Sequence, residues 1–211
     1  MTEQTNTVSE KTVEQVKAFH GHMCPGAAIG IRAAAIALEQ IGARAADEEV
    51  VAVVETDMCA VDAIQQMTGC TFGKGNLIHR DYGKSAFSFF RRSDGKAIRI
   101  VAKPSAWGDP NGERRELLAK LHDGTATEQD RQRFYQMQAE RTQAILSMPV
   151  EALFDIQPVN TAPPSKARLH ESLTCEQCGE QAMETRIRRF GGRNLCIPCF
   201  DSVTQAGARE S

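Results

Sequence analysis

The sequence predicts an α+β core, with helices packed on a small, largely antiparallel sheet, followed by a small four-cysteine domain. Three observations carry this. Two apolar strand-like runs, 86–91 and 97–102, are joined through Ser93-Asp94-Gly95, a hairpin signal that makes the pair antiparallel. The stretch 25–41 is built from Ala, Ile and Gly on nearly all sides, as in a helix at the centre of a closely packed layer. Two C-x-x-C pairs, Cys175/Cys178 and Cys196/Cys199, follow the Pro-rich segment Pro158-Val-Asn-Thr-Ala-Pro-Pro-Ser-Lys166, which has linker composition. The expected organisation is a core at 1–157, a linker at 158–166 and a finger at 167–211.

In chain order, residues 1–8 read as a tail. Ser9 caps a helix to Ala18, with Val13, Val16 and Phe19 on its apolar side. Gly21 breaks it. Pro25 opens the small-residue helix, which Gly42 stops. Val50–Val54 is a continuous β-branched run, hence a buried strand. A helix from Ala60 to Met67 ends at Gly69, and Leu77–His79 extends briefly. After the hairpin come helices at 113–122 and 127–146, the second capped by Thr127. A last strand lies at 154–157.

Composition bounds the function. The chain has 211 residues and a net charge of −2, so no global field draws it to nucleic acid or an anionic membrane. No run approaches the roughly 18 apolar residues of a membrane span. Met1–Lys11 is polar and unlike a signal peptide. Seven cysteines, four of them in C-x-x-C pairs, fit metal binding in a reducing cytoplasm better than a disulfide framework.

Chemistry concentrates in three places. In Phe19-His-Gly-His-Met-Cys-Pro-Gly26, two imidazoles and a thiol fall within five residues at a helix mouth. Pro25 at the first helical position puts Cys24 at the N-cap, where free N–H groups favour a thiolate. In an extended segment His20 and His22 point to one side. Imidazole and thiolate suit zinc and related metals. The second place is the exit of the Val50–Val54 strand, where Cys59 and Asp62 stand near a helix start. It is followed by the Gly-rich stretch Thr71-Phe-Gly-Lys-Gly-Asn76, in which Lys74 and backbone N–H groups suit an anion. A single cysteine is most often a small buried apolar residue; Cys70 either joins the site of His20, His22, Cys24 and Cys59 or sits in an ordinary turn, Thr-Gly-Cys-Thr. The third place is the finger. Two C-x-x-C pairs separated by 17 residues close a tetrahedral structural zinc site from Cys175, Cys178, Cys196 and Cys199. Arg186, Arg188, Arg189 and Arg193 read as a solvated hairpin face.

The motifs Phe-His-Gly-His-Met-Cys-Pro-Gly, Glu-Thr-Asp-Met-Cys-Ala-Val-Asp-Ala-Ile-Gln, Thr-Gly-Cys-Thr-Phe-Gly-Lys-Gly-Asn and Asp-Tyr-Gly-Lys resemble the FmdE family, named for formylmethanofuran dehydrogenase, over about residues 15–155. The finger is similar to one that many members carry. The resemblance implies an α+β core, a homodimer, a pocket built from the His and Cys motifs, and a link to molybdenum or tungsten formylmethanofuran dehydrogenase operons. It does not establish an activity.

The resulting expectation is a cytoplasmic metal-binding accessory protein. It holds zinc in the finger and a second transition metal, zinc again, on His20, His22 and Cys59. Cys24 stands alongside as ligand or reactive thiolate, and Asp62 orients a ligand or acts as a base. The expected partners are a second copy of the chain and a molybdenum or tungsten enzyme subunit or small anion. The rival readings are an enzyme, using an open zinc site or a Cys24 nucleophile on an anion held by Lys74, and a finger regulator binding nucleic acid or protein.

Overall fold

The computed structural model describes residues 8–44, 47–109 and 111–207; residues 1–7 of the expected tail lie outside them. Two compact units divide the chain at 166/167.

In the first unit, five strands form one sheet in the order β2-β1-β3-β4-β5: β1 Val50–Val54, β2 Leu77–His79, β3 Ala86–Arg91, β4 Ala97–Ala102 and β5 Phe154–Pro158. Only β1 and β2 pair in parallel, across a helical crossover, and the other pairs are antiparallel. The β3–β4 turn carries Gly95 at φ +72°, while Asp94 pairs with Arg91 and accepts from Lys96 N–H.

Strand alternation sorts the apolar side chains. Val50, Ala52, Val54, Phe87, Phe89, Ile98 and Ile100 face the helices. Val51, Val53, Phe90 and Ala97 face the other way, with Val159 packed on them. The segment read as a linker therefore covers the back of the sheet: Val159 N–H donates to Ala97 C=O at 3.1 Å, and Arg92 donates to the Pro164 and Ser165 carbonyls. Next to it, Glu55 accepts two hydrogen bonds from Arg99, at 2.7 and 2.9 Å.

The helical layer consists of α1 Glu10–His20, α2 Pro25–Gln40, α3 Ala60–Thr68, α4 Glu113–His122, α5 Glu128–Ser147 and the one-turn α6 Val150–Leu153. Ser9 caps α1, and a Thr127/Asp130 capping box opens α5. The short α6 and a 3₁₀ turn at Pro104–Ala106 have no clear sequence signal. Nearly all of α2 is buried. Its small residues let α3 lie against it, and a Cβ at Gly30 would stand 2.2 Å from the Ala60 carbonyl oxygen. The periodicity of α2 hides Arg32, which is 2% exposed and donates to the Leu146 and Met148 carbonyls at the end of α5.

The second unit contains two hairpins and a helix: β6 Ser172–Thr174 with β7 Gln181–Met183, β8 Ile187–Phe190 with β9 Arg193–Cys196, and α7 Ile197–Gly207. Among the described residues no helix is long and apolar enough to cross a membrane.

The α2–α3 contact leaves no room for a methyl group. Gly30→Ala is expected to destabilise the core by about 3 kcal/mol or more, read as a lowered denaturation midpoint. A wild-type midpoint would contradict this close approach.

Candidate metal centre

The core cluster is built around the end of α1. His20 is its last residue, and Gly21, in the left-handed region at φ +92°, closes it with an N–H to Lys17 C=O bond of 2.8 Å. That reversal, rather than an extended segment, brings the two imidazoles together, ring centroids 4.6 Å apart and planes tilted by 35°. Cys24 is the N-cap of α2: Pro25 follows at the first helical position, and Cys24 Sγ accepts from Ala27 N–H at 3.4 Å.

The tautomer of His20 follows from its partner. Asp62, in the first turn of α3, places Oδ2 2.7 Å from His20 Nδ1. A carboxylate accepts, so Nδ1 carries the proton. The Nε2 lone pair is left facing Cys24 Sγ, 4.0 Å away. One donor atom each from His20, His22 and Cys24 lies within 4.8 Å of the others. A tetrahedral zinc with bonds of 2.0–2.3 Å needs ligand separations of about 3.3–3.8 Å, so a small closure suffices.

The sequence reading put Cys59 in this trio and Cys24 beside it; the structure brings Cys24 into the cluster and sets Cys59 on its flank. A Cβ at Gly26 would stand 3.1 Å from Cys59 Cβ and 3.8 Å from both sulfurs. Burial, and then the neighbouring Cys24, push the Cys59 thiol up. Asp62 touches the cluster through its bond to His20 Nδ1. Cys70 and Lys74 lie elsewhere. Cys70 Sγ donates to Val50 C=O at 3.3 Å, and the loop containing Lys74 is anchored by Asn76, which donates to the same carbonyl at 2.9 Å. Val50 begins β1, whereas Cys59 lies five residues beyond its end. A five-residue strand separates the two ends by about 13 Å. Lys74 is therefore not an anion holder for this cluster, and the enzyme reading loses that group.

A cleft of about 400 Å³ opens beside the cluster, with His22, Cys24 and Cys59 on one side and Trp107, Arg114 and Arg141 on another. The sequence reading assigned none of these three residues to a site. Trp107 is 42% exposed. Its only local signal was the following Gly108-Asp109.

In the second unit, Cys175, Cys178, Cys196 and Cys199 converge, each sulfur within 4.8 Å of the others. Gly179 turns the first knuckle, its N–H on Cys175 C=O at 2.9 Å. Backbone N–H groups from Cys178, Cys196 and Gln177 bring Cys175 down to about 6. The crowded neighbouring thiols, Cys196 first, push Cys199 up to about 12. One thiolate forms readily and a fourth resists until a cation offsets the repulsion, which is the electrostatic setting of a closed zinc site.

Fold and clusters together define a two-unit α+β protein, with a thiol–imidazole cluster in the first unit and a four-cysteine zinc finger as the second. Residues 19–155 match the family described as FmdE, molybdenum formylmethanofuran dehydrogenase operon, and the chain belongs to that family. Residues 171–205 match the prokaryotic dksA/traR C4-type zinc finger. A crystal structure of a tungsten formylmethanofuran dehydrogenase FmdE-like protein from Syntrophus aciditrophicus is similar at 25% identity and a TM-score of 0.63, covering 96% of this chain and 98% of that one. A protein of Archaeoglobus fulgidus named "Probable S-adenosyl-L-methionine-binding protein" is 34% identical over 95% of this chain. The chain spans 56% of that relative's length.

Replacing Cys175 and Cys178 together by Ser is expected to remove one zinc per chain and the amide protection of residues 171–205, while the thermal transition of the core stays in place. Elemental analysis, hydrogen exchange and calorimetry read the three. Loss of the core transition with the finger would contradict the independence of the two units.

Proposed function

We propose that the protein is a metal-binding accessory factor of molybdenum- or tungsten-dependent formylmethanofuran dehydrogenase-type one-carbon metabolism. Its core holds a second transition metal, zinc in the first instance, on His20, His22 and Cys24. The family and the tungsten formylmethanofuran dehydrogenase FmdE-like neighbour support the metabolic setting. The observation that carries the metal reading is the Asp62–His20 hydrogen bond. A carboxylate behind a histidine fixes the tautomer, raises the basicity of the other nitrogen and aims it, the usual support for a ligating imidazole. Three protein ligands leave a tetrahedral ion one further position. Cys59 stands close enough to compete for it, and the cleft gives an outside ligand access to it.

Metal analysis of the full chain tests this. Two zinc ions per chain are expected, falling to one in His22→Ala with the fold intact, and Asp62→Asn is expected to weaken the core site about 10–100-fold. One zinc in the wild type, or two retained in His22→Ala, would overturn the reading.

The cleft favours a second reading, in which the core takes S-adenosyl-L-methionine, the ligand named for the Archaeoglobus relative. An aromatic wall suits a flat base and a sulfonium, and an arginine suits a carboxylate. Trp107 is the single tryptophan of the chain, so its emission is expected to change on titration with S-adenosyl-L-methionine. An unchanged spectrum and no heat in calorimetry would dismiss this reading.

A further inference from the structure

We propose that the cleft beside the cluster is a binding site for a small organic anion. The ligand is a carboxylate or phosphate monoester on a flat, unsaturated body, its charge paired with Arg114 and its body laid against Trp107. The inference takes the same cleft as the second reading but assigns it a different ligand chemistry, since S-adenosyl-L-methionine carries a net positive charge, and it names a recognising residue. It stands on the cleft whether or not the cluster holds a metal.

The size is right: about 400 Å³ lies in the range of small-molecule sites. The charge is one-sided. Among the described residues no Asp or Glu lines the cleft, while two arginines do, so the fixed side-chain charges of the lining favour an anion.

The two guanidinium groups have different tasks. Arg141 donates to the Ala106 carbonyl at 2.6 Å and to the Ser105 carbonyl. It also lies over Gly108, where a Cβ would meet its Cζ at 3.1 Å. Arg141 therefore fixes the turn that presents Trp107, and its donors point at the protein. Arg114 is half-buried in the wall. Among the described residues its side chain makes no hydrogen bond or ion pair, although a guanidinium offers five donors in a planar fork. Its backbone N–H is already held by Asp109 Oδ1 at 3.1 Å, and that of Arg115 by Asp109 Oδ2 at 3.1 Å. The start of α4 is thus capped from within, and the side-chain fork is what remains for an anion.

The rest of the wall selects against a bare ion. Trp107 is 42% and Met58 64% exposed, although large apolar groups gain by being covered. An aromatic face and a thioether accept a flat, polarisable body. Inorganic phosphate would satisfy Arg114 and leave both uncovered.

Phenyl phosphate, phenylacetate, benzyl alcohol and inorganic phosphate, each titrated into the full chain, test the proposal by Trp107 emission and calorimetry. At least one organic anion is expected to bind about tenfold or more tighter than both benzyl alcohol and inorganic phosphate, a difference of about 1.4 kcal/mol. Arg114→Gln is expected to remove that advantage, while Arg115→Gln, on the exposed neighbour, keeps it. The better of the two anions tells a carboxylate site from a phosphate site. No binding by either anion, equal binding by benzyl alcohol or inorganic phosphate, or an Arg114→Gln variant that folds and binds as the wild type would each overturn the proposal. Failure of S-adenosyl-L-methionine alone would leave it standing.

Discussion

The contact between Gly30 of α2 and Ala60 of α3 is the constraint on which the core site depends. The two helices approach so closely that a hydrogen is all Gly30 can carry toward the Ala60 carbonyl. Cys24 lies six residues before Gly30, and Cys59 immediately precedes Ala60. Fixing that crossing point fixes how near the two helix starts come. Gly26 repeats the condition one turn earlier, where its missing side chain makes room for Cys59. A β-strand buried on both faces and a helix with hardly a polar side chain are the scaffold that holds this approach, because interiors packed like crystals move little.

Charge is managed differently in the two clusters. In the core, an imidazole is aimed by a carboxylate and a thiol is set at a helix N-terminus, so each donor is prepared by its own neighbour. In the finger, four sulfurs crowd one another, and backbone N–H groups come first in bringing Cys175 down. The first arrangement keeps its shape through protein contacts; the second gathers four thiols that need a cation to be held together as thiolates.

Much of this was legible in the chain. Capping residues and glycine stops set α1, α2, α3 and α5 to within a residue or two, since those are local rules. The thiol N-cap at Cys24 followed from Pro25, and the pairing of the finger cysteines from spacing alone. What failed to be legible was relational. Whether Cys24 or Cys59 joins the histidines depends on how α2 crosses α3, which no local pattern states. Lys74 looked close to Cys59 because both follow β1, yet its loop returns to the other end of that strand. Arg114 and Trp107 reach the cleft only through the 3₁₀ turn and the α4–α5 pair, whose placement rests on Arg141 binding two carbonyls.

His20, His22 and Cys24 span five residues, whereas the finger ligands run from Cys175 to Cys199. A loop so short costs little entropy to close, so an unfolded chain offers an ion nearly the same three donors as the folded one. A ligand stabilises a fold only by its preference for the native state. In the core that preference rests on Asp62, 42 residues away from His20. An ion held by the trio is therefore a passenger of the core's folding equilibrium, while the ion of the finger is a participant in its own. Were both sites loaded, the core ion is the one whose exchange would leave the architecture around it undisturbed.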